Sequence, residues 1–158
     1  MRNFRERGLD AAGIKLLATG EATDDAFLAN QGDDPAGLMT AHHYSFAHPS
    51  ARNAAYTRAF RQIVGEMRPS YMSVAAYDGL ALIDLALKQT GGKAEAPALV
   101  EAMKGQTLDS PRGPITIDPA TRDIVQTVYI RKAQRVEGQM VNVEFDAIPA
   151  VKDPGITP

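Results

Sequence analysis

Cysteine is absent from these 158 residues. Disulfides, cysteine–zinc sites and thiol nucleophiles are therefore excluded, and the absence agrees with a compartment where free thiols are a liability. Also missing is any run of about 18 apolar residues, the length a membrane-spanning helix needs. No lysine–arginine block stands out, and the net charge is only −2, too small to imply a nucleic acid or a membrane surface. Met1 to Arg7 is charged and has no apolar h-region, so it is no signal peptide; a mature or truncated chain would lack one too. There is no phosphate-cradling glycine loop, no His-Glu-x-x-His and no nucleophile elbow. No acid–base pair is suggested by spacing, so no enzyme and no cofactor are expected.

What is present is ordinary in bulk. Apolar residues make up 44% and charged residues 23%, as in a globular protein of about one domain. Residues 2–7 read as a charged helix end closed by Gly8. Ile14 to Ala18 reads as a short buried strand. Thr23 or Asp24 caps a short helix through Asn30, with Phe27 and Leu28 inward. After a turn at Gln31–Pro35, Gly37 to Tyr44 reads as a second strand, followed by a loop from Ser45 to Ser50. Residues 51–66 place Tyr56, Phe60, Ile63 and Val64 at helical spacing.

Arg68-Pro69-Ser70-Tyr71 then starts a long helix over 71–89. Pro69 disfavours helix at Arg68, and Ser70 is the N-cap. Apolar residues cover most of that helix's circumference, the pattern of an element buried on several sides. Gly91-Gly92 end it, and Pro97 opens a third helix closed by Gly105. Ser110 to Pro114 is a cluster of breakers. Beyond it the chain turns β-rich: Ile115–Ile117, Ile124–Ala133 and Met140–Phe145 read as strands, with turns at Asp118–Arg122 and Glu137-Gly138. The proline-bearing tail, 147–158, reads as loose.

Several positions invite chemistry. Glu21 and Thr23 follow a strand, where open α/β sheets bind ligands. Glu21 could receive an ammonium and Thr23 a carboxylate, or Thr23 could simply cap a helix and Glu21 face water. Tyr44 and Ser45 end the second strand, where Tyr44 lines a pocket or packs in the core. Tyr71 sits at a helix N-terminus, an anion-friendly place, or packs against a neighbour. His42, His43 and His48 are not expected to bind metal, because adjacent strand residues point to opposite faces; they line a pocket or lie on the surface. Asp78, inside an apolar helix, needs a partner such as Arg112 or a backbone donor. Asp118 and Asp146 read as solvated turn residues.

Five stretches in order carry a resemblance: Gly13 to Gly20, Gly37 to Ser45, Arg68 to Gly79, Ser110 to Pro114, and Val128 to Arg131. Together they resemble the C-terminal part of type I periplasmic solute-binding proteins, in particular the ABC-transporter receptors for branched-chain amino acids and related compounds. The resemblance implies a fragment of a two-lobe α/β fold with a β-rich C-terminal segment. Residues 1–44 would belong to the second lobe, 51–117 to a helical piece of the first, and 122–146 to strands returning to the second. It implies a ligand (an amino acid, or an aromatic or aliphatic carboxylate) held between lobes by Glu21, Thr23, Tyr44, Ser45 and Tyr71. It also implies an ABC permease as partner, a periplasmic or lipoprotein-anchored location, and no catalysis, metal or nucleic acid. Members are much longer, so the apolar helix is expected to need a missing N-terminal half or a second copy of the chain. A cytoplasmic ligand-sensing regulator of the same fold is the main competitor. An enzyme or a plain interaction module stand further off.

Overall fold

The computed structural model describes residues 1–155, and Pro158 with its two predecessors lies outside them. After α1 (Arg2–Glu6), strand β1 (Leu17–Thr19) runs into a single 3-10 turn (Gly20–Thr23) and a short helix, α2 (Asp25–Leu28). The chain returns as β2 (Met39–His42), which pairs in parallel with β1. Parallel neighbours need a crossover between them, and the 3-10 turn with α2 supplies it. Then come α3 (Ala51–Val64), α4 (Tyr71–Gln89), α5 (Ala96–Met103), a hairpin of β3 (Thr107–Ser110) and β4 (Gly113–Ile117), and two long strands, β5 (Ile124–Val136) and β6 (Gln139–Val151).

Strand β5 ties the two halves together. Its first residues, Ile124 and Val125, pair with Ile117 and Thr116 of β4. Its middle, Tyr129 to Lys132, pairs with β2, and most of its length pairs with β6. The β5–β6 turn is Glu137-Gly138, with φ of 50° and 80°. A two-residue hairpin of this hand needs positive φ at both positions, which glycine supplies freely.

Two small cores result. Leu28, Ala133 and Met140 pack together under α2. Tyr44, Tyr56 and Val74 join the segment after β2 to α3 and α4, with Phe46, Phe60 and Tyr71 around them. Ser70 caps α4 by accepting a bond from Ser73 N, while the Ser73 hydroxyl accepts from Ser70 N. Tyr56 Oη donates to Ser73 Oγ at 2.9 Å, which fixes α3 against that cap. Asp78 is answered as expected. Arg112 Nε and Ser110 Oγ each stand 2.8 Å from its Oδ2, so α4 is pinned to the β3–β4 hairpin.

Several expectations need correction. The first strand is shorter than Ile14–Ala18 and is not buried, because β1 is a sheet edge with no strand on its outer side among the described residues. Leu28 points inward, but Phe27 is 67% exposed. The breaker cluster Ser110–Pro114 is a hairpin turn, and the strand before it, Thr107–Ser110, alternates in burial but has Leu108 as its only apolar residue, too little to announce it. Asp118 is buried rather than solvated: it accepts from Ala120 N at 2.8 Å and from Lys152 Nζ at 2.8 Å. Those bonds hold its carboxyl down at about 2, with Lys152 the largest cause. The segment after Asp146 is not loose up to Val151; it continues β6. The register slips between Ile148 and Val151, where Pro149 and Ala150 (φ 53°) lie. A bulge is where a strand tolerates proline, since no ladder N–H is needed there.

Candidate functional site

Strands β1 and β2 are parallel and end side by side, with Thr19 opposite Ala41. The residues just past that pair, Gly20-Glu21 and His42-His43, therefore meet at one carboxyl edge of the sheet, where open α/β folds receive ligands. Gly20 permits this: a Cβ there would stand 1.9 Å from His42 Cδ2, so only glycine lets the ring lie against the backbone.

The two imidazoles stack, with centroids 4.3 Å apart and planes 22° from parallel. Tyr71, at the start of α4, meets His42 edge-on at 4.9 Å and His43 at 6.1 Å. The result is an aromatic wall built from two distant parts of the chain. Opposite faces were expected for His42 and His43. Strand β2 ends at His42, so the alternation does not extend to His43. Among the described residues no group of three or more histidine or acidic side chains converges to hold a metal ion.

Both rings are neutral near pH 7. Burial, then the Arg131 cation, pushes His42 down to about 4; burial, then His42 itself, pushes His43 down to about 3. Glu21 lies in front of them, exposed and held ionised chiefly by a hydrogen bond from the Thr19 side chain. Its Oε1 is 4.0 Å from His42 Nε2. Between a carboxylate and a neutral ring this is no ion pair; it is a gap that a ligand N–H or O–H could bridge. His42 Nδ1 and His43 Nε2 are buried without a hydrogen-bond partner in the chain, a costly arrangement in a finished interior.

Of the five residues singled out from sequence, Glu21 and Tyr71 reach this wall. Thr23, Tyr44 and Ser45 lie behind it, fully or almost fully buried. Thr23 Oγ1 is 3.4 Å from Thr40 Oγ1, and the cap of α2 is Asp24, whose Oδ1 accepts from Ala26 N. Tyr44 Oη donates to Asn53 Oδ1 at 3.1 Å. Ser45 Oγ is 3.5 Å from Asp25 Oδ1. Asp25 also accepts from Phe46 N and from Asn142 Nδ2, each at 2.9 Å, and burial raises its carboxyl to about 6. Behind them Arg131 reaches Gly20 O, Thr40 Oγ1 and Tyr44 O. Sequence reading missed Gly20, Asp25, Arg131 and Asn142. The available signal was Arg131, directly after the apolar Val128-Tyr129-Ile130 and beside Lys132. A concavity of about 200 Å³ between α1 and Gly37–Met39 lies at the other end of β2 and does not touch the wall.

Parallel strand ends facing an aromatic helix start, across a strand shared by two halves of the chain, form the open, partial α/β fold that the resemblance implies. Comparison with known proteins agrees. The sequence profile of the periplasmic binding protein family matches residues 1–139, and the chain belongs to that family. A Leu/Ile/Val-binding protein homolog 6 of Brucella abortus (strain 2308) is 36% identical over 99% of the chain. A solute binding protein of an ABC transporter from Rhodopseudomonas palustris BisB5, solved in complex with 3,4-dihydroxybenzoic acid, is 52% identical over 98% of the chain with a TM-score of 0.90. Another from Rhodopseudomonas palustris HaA2, in complex with p-hydroxybenzoic acid, is 36% identical over 98% of the chain with a TM-score of 0.88. The chain spans only 40% of the Brucella protein and 42% of each of the two solved chains.

Proposed function

We propose that the chain is the cleft-bearing part of an extracytoplasmic solute receptor that delivers a small aromatic carboxylate to an ABC permease. The observation that carries this reading is the His42–His43 stack met edge-on by Tyr71. A flat, neutral aromatic wall holds a benzoate ring by stacking or edge contacts. The ionised Glu21 carboxylate accepts from a phenol hydroxyl, and His42 Nε2 beside it meets the same oxygen as donor or acceptor according to its tautomer. The benzoic acids bound by the two Rhodopseudomonas proteins support the choice of ligand class. The receptor would act without catalysis, in the periplasm or tethered outside the cell by a lipid anchor. Residues 1–44 and the β5–β6 pair would form one lobe with residues 51–117 in the other, and β5 would be one of the chain crossings. Thr23, Tyr44 and Ser45 would brace the wall, with Glu21 and Tyr71 touching the ligand.

A second reading keeps the fold and changes the ligand. The name of the Brucella relative favours a branched-chain amino acid, whose ammonium Glu21 would meet. Calorimetry decides between them, using a chimera in which this chain replaces its counterpart in the 52% identical BisB5 protein. Tighter binding of 4-hydroxybenzoate or 3,4-dihydroxybenzoate than of leucine is expected; leucine alone binding would reverse the choice. Tyr71→Ala should weaken the benzoates about tenfold, roughly 1.4 kcal/mol, and unchanged affinity would remove Tyr71 from the site. A leader peptide ahead of the full reading frame separates the receptor from a cytoplasmic regulator of the same fold.

A further inference from the structure

Arg131 is 1% exposed, and every hydrogen bond it makes goes to a neutral acceptor. Nη2 donates to Thr40 Oγ1 at 3.1 Å and Gly20 O at 3.3 Å, Nε to Thr40 Oγ1 at 3.3 Å, and Nη1 to Tyr44 O. The buried Arg112 is different, because Asp78 neutralises it at 2.8 Å. A cation taken out of water without a direct ion pair is expensive, so its position calls for a role. The acids around it are committed elsewhere. Glu144 pairs with His48 at 2.9 Å, and Asp24 caps α2. Asp25 serves Phe46 N and Asn142 by hydrogen bonds, and it faces Arg131 only through space, where each steadies the other's charge. Glu21 lies out in solvent.

The guanidinium sits directly beneath the wall. Gly20 O and Tyr44 O belong to the two chain segments between which the His42 ring is held. At His42 the pull of the Arg131 cation exceeds that of the Glu21 carboxylate, and at His43 both Arg112 and Arg131 exceed it. Two buried guanidinium groups thus bear on the wall from behind, while the nearest exposed charge in front of it is negative. In a partly desolvated cleft such charges act far more strongly than in water.

We propose that Arg131 is the positioning and charge-selecting residue of the cleft, holding the backbone that frames the histidine pair and giving the site its preference for ligands with an anionic group. This rests on the wall being the ligand contact, as proposed above, but not on the ligand being aromatic. Arginine suits the task because its planar fork spans three acceptors at once and stays charged when buried. Glu21 then takes the donor end of a ligand whose anionic end is drawn by Arg131.

The test compares charged and uncharged partners: benzoate with benzamide, and leucine with leucinamide, on the chimera carrying the native residue, Arg131→Gln or Arg131→Lys. In parallel, ¹⁵N spectra follow the imidazoles of His42 and His43 with pH in the 158-residue chain itself. The native protein should favour the carboxylate by tenfold or more. Arg131→Lys should retain most of that preference, and Arg131→Gln should bring the ratio towards one while moving the His42 titration up towards the ordinary histidine range. Unchanged ratios and unmoved histidines in a folded Arg131→Gln would overturn the proposal. If the glutamine variant does not fold, a folded Arg131→Lys without carboxylate preference overturns it, and one that keeps the preference supports it. Binding of leucine but no benzoate removes the aromatic reading alone, and the leucine–leucinamide ratio then judges Arg131. With no ligand bound, the histidine titration decides: a shift supports the role of Arg131, and none rejects it.

Discussion

A single methyl group separates Gly20 from a different site. With Cβ placed 1.9 Å from His42 Cδ2, Gly20→Ala has to drive the ring off His43 and out of its contact with Tyr71. Overpacking of this kind costs about 1–3 kcal/mol in stability, and the wall is lost with it. Calorimetry on the chimera should show the benzoate affinity falling by at least tenfold, with a lowered urea midpoint; native affinity would mean that the His42 ring is not part of the site. Asp25 gives a second prediction. Its folded value of about 6 lies above the ordinary 3.8, so the folded state prefers the protonated acid. The stability it contributes is full below pH 3.8 and declines as pH rises through about 6, by up to about 3 kcal/mol. His42 and His43 act in the opposite sense: their stabilising effect is full above the ordinary 6.5 and is lost as pH falls towards about 4 and about 3. The ¹³C signal of the Asp25 carboxyl separates the two effects and should titrate with a midpoint near 6; a midpoint near 3.8 would show that the carboxyl is solvated. At this scale sequence served unevenly. Ser70 and Tyr71 were legible because a cap and the residue after it depend on local chain chemistry. Arg131, Asp25 and Asn142 were not, because their partners are brought by the fold from far along the chain.

Among elements, α4 shows how far pattern reading extends. Its bounds, Tyr71 to Gln89, are those the sequence implied, since proline, cap and glycine signals are all local. Its environment is different: Val74, Asp78 and Ala86 are buried, whereas Leu80 is 70% exposed. Because Tyr71 stands at the first turn, the cap bears on the site. Ser70→Ala removes the bond to Ser73 N and should cost about 1 kcal/mol. A denaturant midpoint that drops while benzoate affinity falls only slightly is expected, and no change in midpoint would deny the cap its part. Strand β6 is the opposite case. Three prolines after Asp146 suggested a loose end, yet the ladder to β5 absorbs Pro149 in a bulge. Pairing with a long neighbour outweighs local composition, and that neighbour's reach is set by the whole sheet. The edge strand β1 was misjudged for the same reason, because its burial depends on strands beside it.

At the level of the molecule, apolar side chains are left uncovered. Leu80 and Ile83 on α4, Ile63 on α3 (87% exposed), and Leu17 on β1 all face outward. Such surfaces mark contacts still to be made. The chain corresponds to 40% of the length of its Brucella relative, and a complementary first-lobe segment of a longer receptor is the occupant this account expects, with a second copy as the alternative. Closure of two lobes around the wall would then complete the pocket, with β5 carrying the chain between them. The most direct test is to follow the side-chain signals of His42, His43 and Tyr71 by ¹H–¹³C NMR while 4-hydroxybenzoate is added to the chimera. Large ring-current shifts at all three rings, with nuclear Overhauser contacts to the ligand ring, are predicted; saturable binding that leaves all three unmoved would contradict the account.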